Sequence, residues 1–256
     1  MNSSELYPLI FRRKAVRKFE QERLEDSVLN DVNSQMLNLV PFDEKIKTDV
    51  KILNAKEIGG IFAIKAPHYI AFYSDEKEGY LTNAGFMLQQ IDLYLSKKGI
   101  GSLWLGMGKP QEQLSSHNNL PYVICLAFGR AKEDVHRENI SDFKRKPLSE
   151  ISAVKGANEI LEAVRLAPSS TNNQPWYLEG EEDRMIIYSK KLSFVKNTLA
   201  PITRRFISID MGIALYHLKI AADYAGKTVN FVNENISSKK DFDYVTTAFI
   251  EDKQIK

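Results

Sequence analysis

Residues 160–176, with the sequence ILEAVRLAPSSTNNQPW, join a helical pattern to a polar turn. Apolar residues at helical spacing predict a helix over 159–167, and Pro168 favours its end there. The turn from Ser169 to Gln174 is rich in hydroxyl and carboxamide groups, which donate and accept hydrogen bonds and so suit the edge of a heteroaromatic ring. The same residue types are ordinary in turns. Composition alone therefore leaves a ring-binding loop and a plain turn both open.

Three landmarks, one of them within this stretch, recur in the chain at one constant offset of 127 positions. The matched pairs are Gly85 and Gly212, Gly99 and Gly226, and the tripeptides 39–41 (LVP) and 166–168 (LAP). A fixed offset predicts two copies of one unit, with chance identity of small residues as the alternative. The charged stretch 130–146 is the natural junction, so we expect one half over residues 1–145 and a second over 146–256.

Hydrophobic periodicity predicts long helices around a few short strands. The predicted helices cover 27–39 (capped by Asp26 or Ser27 and ended by Pro41), 81–98, 159–167 and 207–225. The predicted strands cover 68–73, 122–128, 184–188, 229–232 and 245–250. Gly99 and Gly226 lie where a helix C-terminus needs a left-handed residue. This mixture implies an α+β fold.

Composition excludes several classes of protein. The 256 residues include 35 Lys and Arg against 33 Asp and Glu, so the net charge of +2 would not attract nucleic acid. Cys125 is the single cysteine, which excludes an intrachain disulfide, and we expect no metal site. The chain lacks an apolar run of about 18 residues and turns basic soon after its start. We therefore expect a cytoplasmic protein with no membrane partner.

A basic cluster lies near the N-terminus. Residues 12–19 have the sequence RRKAVRKF, in which five of the first seven residues are basic. Guanidinium forks and ammonium groups at this density suit a phosphate group. A solvated run of charges is the alternative that the stretch alone does not exclude.

Together these stretches resemble the FMN-dependent nitroreductase family. Residues 160–176 look like that family's signature, and 13–19 is similar to its opening arginine motif. Residues 85–101 and 102–106 resemble its long central helix and the loop that follows. The resemblance implies a nitroreductase-like α+β fold with mixed or antiparallel central sheets surrounded by long helices.

The order of the motifs departs from the family. In typical members the arginine motif shortly precedes the Ser-Ser-Asn segment, and a homodimer binds FMN at its interface, whereas here Arg13 and Ser169 are 156 positions apart. The repeat explains this if one chain imitates the dimer. The first half would then hold the FMN phosphate and the second the flavin ring. The second site that the same symmetry would create should not bind FMN. Asp43 and Glu44 lie there at the positions where the second copy has Ser170 and Thr171, and their negative charges disfavour an anionic cofactor. We therefore expect one FMN per chain.

The resemblance assigns roles to particular residues. On the phosphate side we expect Arg13 and Arg17 as ligands, Lys14 adjoining them, and the backbone N–H of Ala15 where the family often has a hydroxyl. On the ring side we expect Pro168, Ser169, Ser170 and Asn172 from the second half. Backbone N–H groups of Leu105 and Gly106 should lie near flavin N5 and O4, where charge appears on reduction.

Two assignments stay open. The run 144–148, with Arg145, resembles the family's basic element that also reaches the phosphate. Position 17 plus the repeat offset falls on Lys144, so the run is alternatively the degenerate opening motif of the second copy. Some members place a lysine at the pyrimidine edge of the flavin, but Lys65 is out of register for it.

The activity implied is ping-pong hydride transfer from NADH or NADPH through FMN to a small acceptor such as a nitroaromatic or quinone. No catalytic acid or base is identifiable. A flavin-binding storage or sensor protein without turnover is the alternative. The family also includes dehalogenases, flavin-fragmenting enzymes and azoline oxidases, and fold does not fix function. Because one chain would contain both halves of the interface, we expect a monomer or a weak homodimer.

Overall fold

Two antiparallel sheets and a central pair of long helices form the framework. The computed structural model describes residues 2–59, 64–192 and 200–253. Its helices are α1 (Ser3–Ile10), α2 (Asp26–Met36), α3 (Tyr80–Lys97), α4 (Leu148–Ile151), α5 (Asn158–Arg165) and α6 (Ala200–Tyr224). Its strands are β1 (Thr48–Asn54), β2 (Ile58–Gly59), β3 (His68–Ser74), β4 (Gly101–Leu105), β5 (Lys109–Pro110), β6 (Ser116–His117), β7 (Leu120–Gly129), β8 (Trp176–Glu181), β9 (Arg184–Lys190), β10 (Lys227–Val232) and β11 (Phe242–Asp252).

The two main sheets have the same strand order. The first runs β1-β3-β7-β4, with β6 paired to β7, and the second runs β8-β9-β11-β10. When the four long strands of each sheet are numbered along the chain, they lie in the order first, second, fourth, third. All neighbours are antiparallel. The short strands β2 and β5 form a separate ribbon.

The helices α3 and α6 pack against each other at two glycines. A Cβ on Gly85 would lie 2.0 Å from the carbonyl oxygen of Ile209, and one on Gly212 would lie 1.9 Å from that of Thr82. Any side chain at either position would therefore force the helices apart. Most residues of α3 are buried, because the helix lies between α6 and the first sheet.

Most predicted elements are present, with different ends. The two long helices and the five predicted strands are found, and Gly99 and Gly226 have φ of +68° and +75° at their helix ends. The first of the predicted helices is α2, and neither predicted residue caps it, because Glu25 occupies the N-cap without a side-chain hydrogen bond. That helix ends at Met36 rather than residue 39, and α6 begins at Ala200 rather than residue 207.

Six of the strands in the described ranges were not predicted, of which β2, β5 and β6 have two residues each. Residues 101–105 form β4 where the family resemblance placed a loop, because they pair with β7 as the last strand of the first sheet. The strands β1 and β8 each lie at a sheet edge. Within the described ranges, no helix has both the length and the apolar character to cross a membrane, and no cluster of potential metal ligands is present.

Candidate functional site

The basic N-terminal segment lies alongside β4 in extended conformation. Ala15 forms a parallel bridge to Ser102, whose carbonyl oxygen accepts the Val16 N–H at 3.0 Å. Because side chains alternate along extended chain, successive residues point to opposite sides. Val16 is fully buried in the core. Arg13, Ala15 and Arg17 instead line one cavity.

Arg13 is a buried cation with an incomplete set of partners. Its Nε lies 2.6 Å from Asp92 Oδ2, and both side chains are almost inaccessible to solvent. The other carboxylate oxygen of Asp92 accepts a hydrogen bond from Ser102 Oγ at 2.5 Å. The Nη2 atom of Arg13 is buried and has no hydrogen-bond partner among the residues that the structure describes. Leaving a buried guanidinium donor unpaired is costly, so a ligand that accepts from it would be favoured.

The Ser-rich turn forms the opposite wall of the cavity through Pro168, Ser169, Ser170 and Thr171. Thr171 has φ of +52°, a left-handed conformation that β-branched residues rarely adopt. Ser169 Oγ accepts from the Gln174 N–H at 2.9 Å. The turn is therefore held in a strained shape by its own hydrogen bonds, as is common at ligand sites.

Asp210 on α6 anchors this turn from within the protein. Its two carboxyl oxygens lie 2.9 and 3.1 Å from the backbone nitrogen of Ser170 and accept its N–H. The side chain is almost fully buried and lines the cavity. Burial raises the pKa of Asp210 to about 8, and the Ser170 hydrogen bond offsets only part of that effect. Asp210 consequently carries a proton at neutral pH.

Apolar side chains complete a cavity of about 230 Å³. They come from two strands of the first sheet and from α6: Leu103, Trp104, Ile124, Phe206, Ile209 and Ile213. Trp104 Nε1 is a second buried donor without a partner in the described chain. The cavity thus has a cationic end, a polar wall and an apolar surface, a combination that suits a flat ligand with an anionic tail.

A comparison with protein families identifies the chain. The family model described as "Putative TM nitroreductase" matches residues 5–222. The chain belongs to this nitroreductase family. It is therefore a nitroreductase-family oxidoreductase. None of the curated proteins matches the chain.

One solved structure shares the fold along nearly the whole chain. A "putative nitroreductase" from Thermotoga maritima superposes with a TM-score of 0.63 at 23% identity, covering 98% of this chain and 94% of that one. A nitroreductase with bound FMN from Desulfitobacterium hafniense gives a TM-score of 0.42 at 16% identity, covering 57% of this chain and 100% of its own. An FMN-dependent nitroreductase from Clostridium difficile gives 0.40 at 18% identity, covering 54% and 92%.

The nitroreductase fold brings seven of the eleven predicted cofactor residues to the cavity. They are Arg13, Ala15, Arg17, Gly106, Pro168, Ser169 and Ser170. The other four do not line it. Lys14 points away to Glu133, 3.7 Å from its carboxylate. Leu105 is buried in the neighbouring core cluster.

Arg145 and Asn172 bind each other behind the turn. Arg145 donates to Asn172 Oδ1 and, at 3.2 Å each, to the carbonyl oxygens of Phe143 and Leu166. Burial, with a contribution from the nearby Arg13, lowers the pKa of Arg145 to about 9. The basic run 144–148 therefore braces the Ser-rich turn, and no residue of it lines the cavity.

Sequence patterns missed several residues of the site, and three of them position its parts. Asp92 and Asp210 pair with the arginine segment and the Ser-rich turn, and Phe206 packs against Gly106. The two aspartates had a usable signal, since a lone carboxylate within an apolar helix needs a buried partner. Phe206 had none, because its role depends on how α6 packs against a distant loop.

Proposed function

We propose that the chain is an FMN-dependent oxidoreductase that passes hydride from NADH or NADPH to a small acceptor, such as a nitroaromatic or a quinone, in a ping-pong cycle. One observation carries the proposal. Arg13, with its unpaired buried donor, faces the same cavity as Ser169 and Ser170, although 156 positions separate it from Ser169. FMN, when bound, supplies the hydride-transfer chemistry.

The arginines suit the FMN phosphate. Arg13 is fixed by Asp92, so its free Nη2 is preorganised to donate to an anion. Arg17 lines the cavity, is exposed, and has no ion-pair partner among the described residues. A buried and an exposed guanidinium would together neutralise a phosphate dianion. Arg145 would act indirectly, by bracing the Ser-rich turn through Asn172.

The polar wall suits the edge of the flavin ring. Ser169, Ser170 and Thr171 present hydroxyl and backbone groups, and Trp104 Nε1 is an unpaired donor. Asp210 holds a proton inside the cavity at neutral pH, so its carboxyl group can donate a hydrogen bond where a carboxylate cannot. We assign to it the role of holding a proton beside the cofactor. The apolar surface excludes water from that proton.

The repeat supports a single chain that imitates a dimer, with halves over 1–145 and 146–256. Contacts across a twofold axis are reciprocal. If residue i of the first copy contacts residue j of the second, then residue j of the first copy contacts residue i of the second. Gly85 approaches Ile209, and Gly212 approaches Thr82, which is Ile209 minus the 127-residue offset. The identical strand order of the two main sheets supports the same symmetry.

Equivalent side chains also hold the equivalent turns. Asn83 Oδ1 accepts the N–H of Asp43 at 3.2 Å, and Asp210 Oδ1 accepts that of Ser170 at 2.9 Å. Both members of the second pair lie 127 positions after those of the first. Because both parts of the site would come from one chain, we propose a monomer or a weak homodimer.

The symmetry-related site is filled with aromatic rings. Phe42, Phe86 and Phe231 lie 127 positions from Ser169, Ile213 and Trp104, three residues that line the cavity. Their rings contact one another, with centroids 5.2–6.3 Å apart. Packed phenylalanines leave no room for a flavin there. This supports one FMN per chain.

A visible absorption spectrum tests the proposal. Purified protein titrated with FMN should develop the spectrum of a bound flavin, and NADH or NADPH should bleach it under anaerobic conditions. Re-oxidation by a nitroaromatic or quinone would complete the cycle. A bound flavin that neither nucleotide bleaches would favour a storage or sensor protein, and no binding at excess FMN would refute the proposal.

A further inference from the structure

A second cleft, of about 440 Å³, adjoins the candidate flavin cavity. The two share Gly106 and Phe206 as lining residues. The Phe206 ring packs directly on Gly106, since a Cβ there would lie 2.6 Å from Phe206 Cε1. The ring therefore forms the wall between the two spaces. Any molecule in the cleft would lie beside whatever occupies the cavity.

The walls of the cleft suit a flat, apolar body. Met107, Tyr122 and Ile202 line it, and Met107 and Ile202 are two of the few large hydrophobic residues that are exposed. The Tyr122 hydroxyl donates to the Gly108 carbonyl oxygen at 2.8 Å, which leaves the ring as its contact surface. An aromatic ring would cover this exposed apolar surface.

The cleft also contains two cations without counter-ions. Arg205 donates one hydrogen bond from Nη2 to the Val123 carbonyl oxygen. Neither Arg205 nor Lys109 forms an ion pair with any residue in the described ranges, and no acidic side chain lines the cleft. Two unpaired positive charges over an apolar floor favour a ligand that has both a ring and a negative charge.

We propose that this cleft binds the anionic group of a flat substrate that reacts at the neighbouring cofactor, with Arg205 and Lys109 as its ligands. This inference rests on the proposed function. Carboxylate and phosphate share the required chemistry, so the group belongs to an aromatic acceptor with a carboxylate or to the phosphates of the nicotinamide donor. Arg205 and Lys109 are specificity residues, and neither lines the flavin cavity.

Binding of a non-reacting probe gives the first test. Benzoate and the neutral benzamide would be titrated into the protein by calorimetry, with and without FMN. Arg205→Gln and Lys109→Gln should each raise the benzoate dissociation constant by roughly ten-fold, with benzamide unaffected. Arg205→Lys should retain most of the affinity. Arg204→Gln is the matched control, because Arg204 is exposed and does not line the cleft.

Kinetics with the FMN-loaded protein separates the two sources. If the anion is the acceptor's, Arg205→Gln raises KM for 4-nitrobenzoate but not for 4-nitrobenzamide. If it is the donor's, the variant raises KM for NADPH and NADH with both acceptors. Either result supports the proposal. Unchanged benzoate and nucleotide affinities in both variants would overturn it.

Two further results separate this inference from the proposed function. Loss of FMN affinity in Arg205→Gln would assign the cleft to the cofactor and overturn the substrate role. If the wild-type protein binds no FMN, the proposed function fails, while charge-selective benzoate binding measured by calorimetry still tests the cleft.

Discussion

Arg13 Nε lies 2.6 Å from Asp92 Oδ2, in an ion pair that is almost inaccessible to solvent. The pair joins the N-terminal segment to the middle of α3. It fixes one edge of the guanidinium and leaves Nη2 without a partner in the described residues. The pair therefore has a structural role in addition to the ligand-binding role proposed for Nη2.

Breaking the pair should destabilise the fold. Arg13→Gln leaves a buried carboxylate unpaired, and we expect the free energy of unfolding to fall by about 3–5 kcal/mol. Asp92→Asn should also destabilise, and the double variant should lose less than the sum of the two. Urea unfolding of all four proteins measures the coupling. The exposed pair of Lys155 and Glu181 is the control, with an expected coupling below about 1 kcal/mol. Additive losses at Arg13 and Asp92 would contradict this account.

Arg17 offers a cleaner test of phosphate binding, because it is exposed and unpaired. Arg17→Gln should raise the FMN dissociation constant by roughly ten-fold through loss of one charge-assisted contact. Riboflavin, which has no phosphate, should bind the variant and the wild type equally. Fluorescence quenching of each flavin measures both constants. Lys18→Gln is the control, since Lys18 is exposed but does not line the cavity. Equal losses for riboflavin and FMN would remove Arg17 from the phosphate site.

Asp210 should make stability depend on pH. Its pKa is raised from 3.8 to about 8, so between these values the folded protein holds a proton that the unfolded chain has released. Its stabilising contribution is therefore complete below about pH 4 and is lost as pH rises through 8. Asp210→Asn keeps an acceptor for the Ser170 N–H, as Asn83 is for the Asp43 N–H. From pH 5 to 8, wild type should lose roughly 3–4 kcal/mol more stability than this variant, because each pH unit between the two pKa values costs up to about 1.4 kcal/mol. Parallel pH profiles would show that Asp210 does not titrate there.

The phenylalanine cluster should stabilise the fold without binding FMN. Phe42→Ala removes a ring that packs on Phe86 and Phe231, and we expect a loss of about 2–4 kcal/mol in unfolding free energy. FMN affinity should stay within two-fold of wild type. Leu37→Ala, at a position 81% exposed, is the control and should change neither quantity. A second flavin bound by the Phe42 variant would show that the cluster blocks a functional site.

The sequence predicted the buried elements better than the edges. The strands β3 and β7 were predicted because burial on both faces makes them nearly continuous apolar runs. The edge strand β1 was missed because Thr48, Asp49 and Lys51 interrupt its apolar pattern. The α6 helix was predicted only from residue 207, because its first turns, with Arg204 and Arg205, lack the apolar periodicity.

The candidate site likewise contains residues that local sequence patterns identify and residues that they do not. Arg13 and Ser169 belong to local motifs, so each was identified before the fold placed them in one cavity. Asp92 and Asp210 act through contacts between segments far apart in the chain, which local patterns do not encode. The run 144–148 resembles the family's phosphate-binding element, whereas Nη1 and Nη2 of Arg145 donate to backbone oxygens and Asn172. Burial decided that outcome, and charge patterning alone does not reveal burial.

The number of FMN molecules bound per chain decides whether one site is built from both parts of the chain. Light scattering would give the mass of the protein in solution, and absorbance titration would give its FMN content. We expect saturation at one FMN per 29.2 kDa chain, with binding retained when the protein is monomeric. Two FMN per chain, or binding only in a homodimer, would contradict a site built once from the two halves of a single chain.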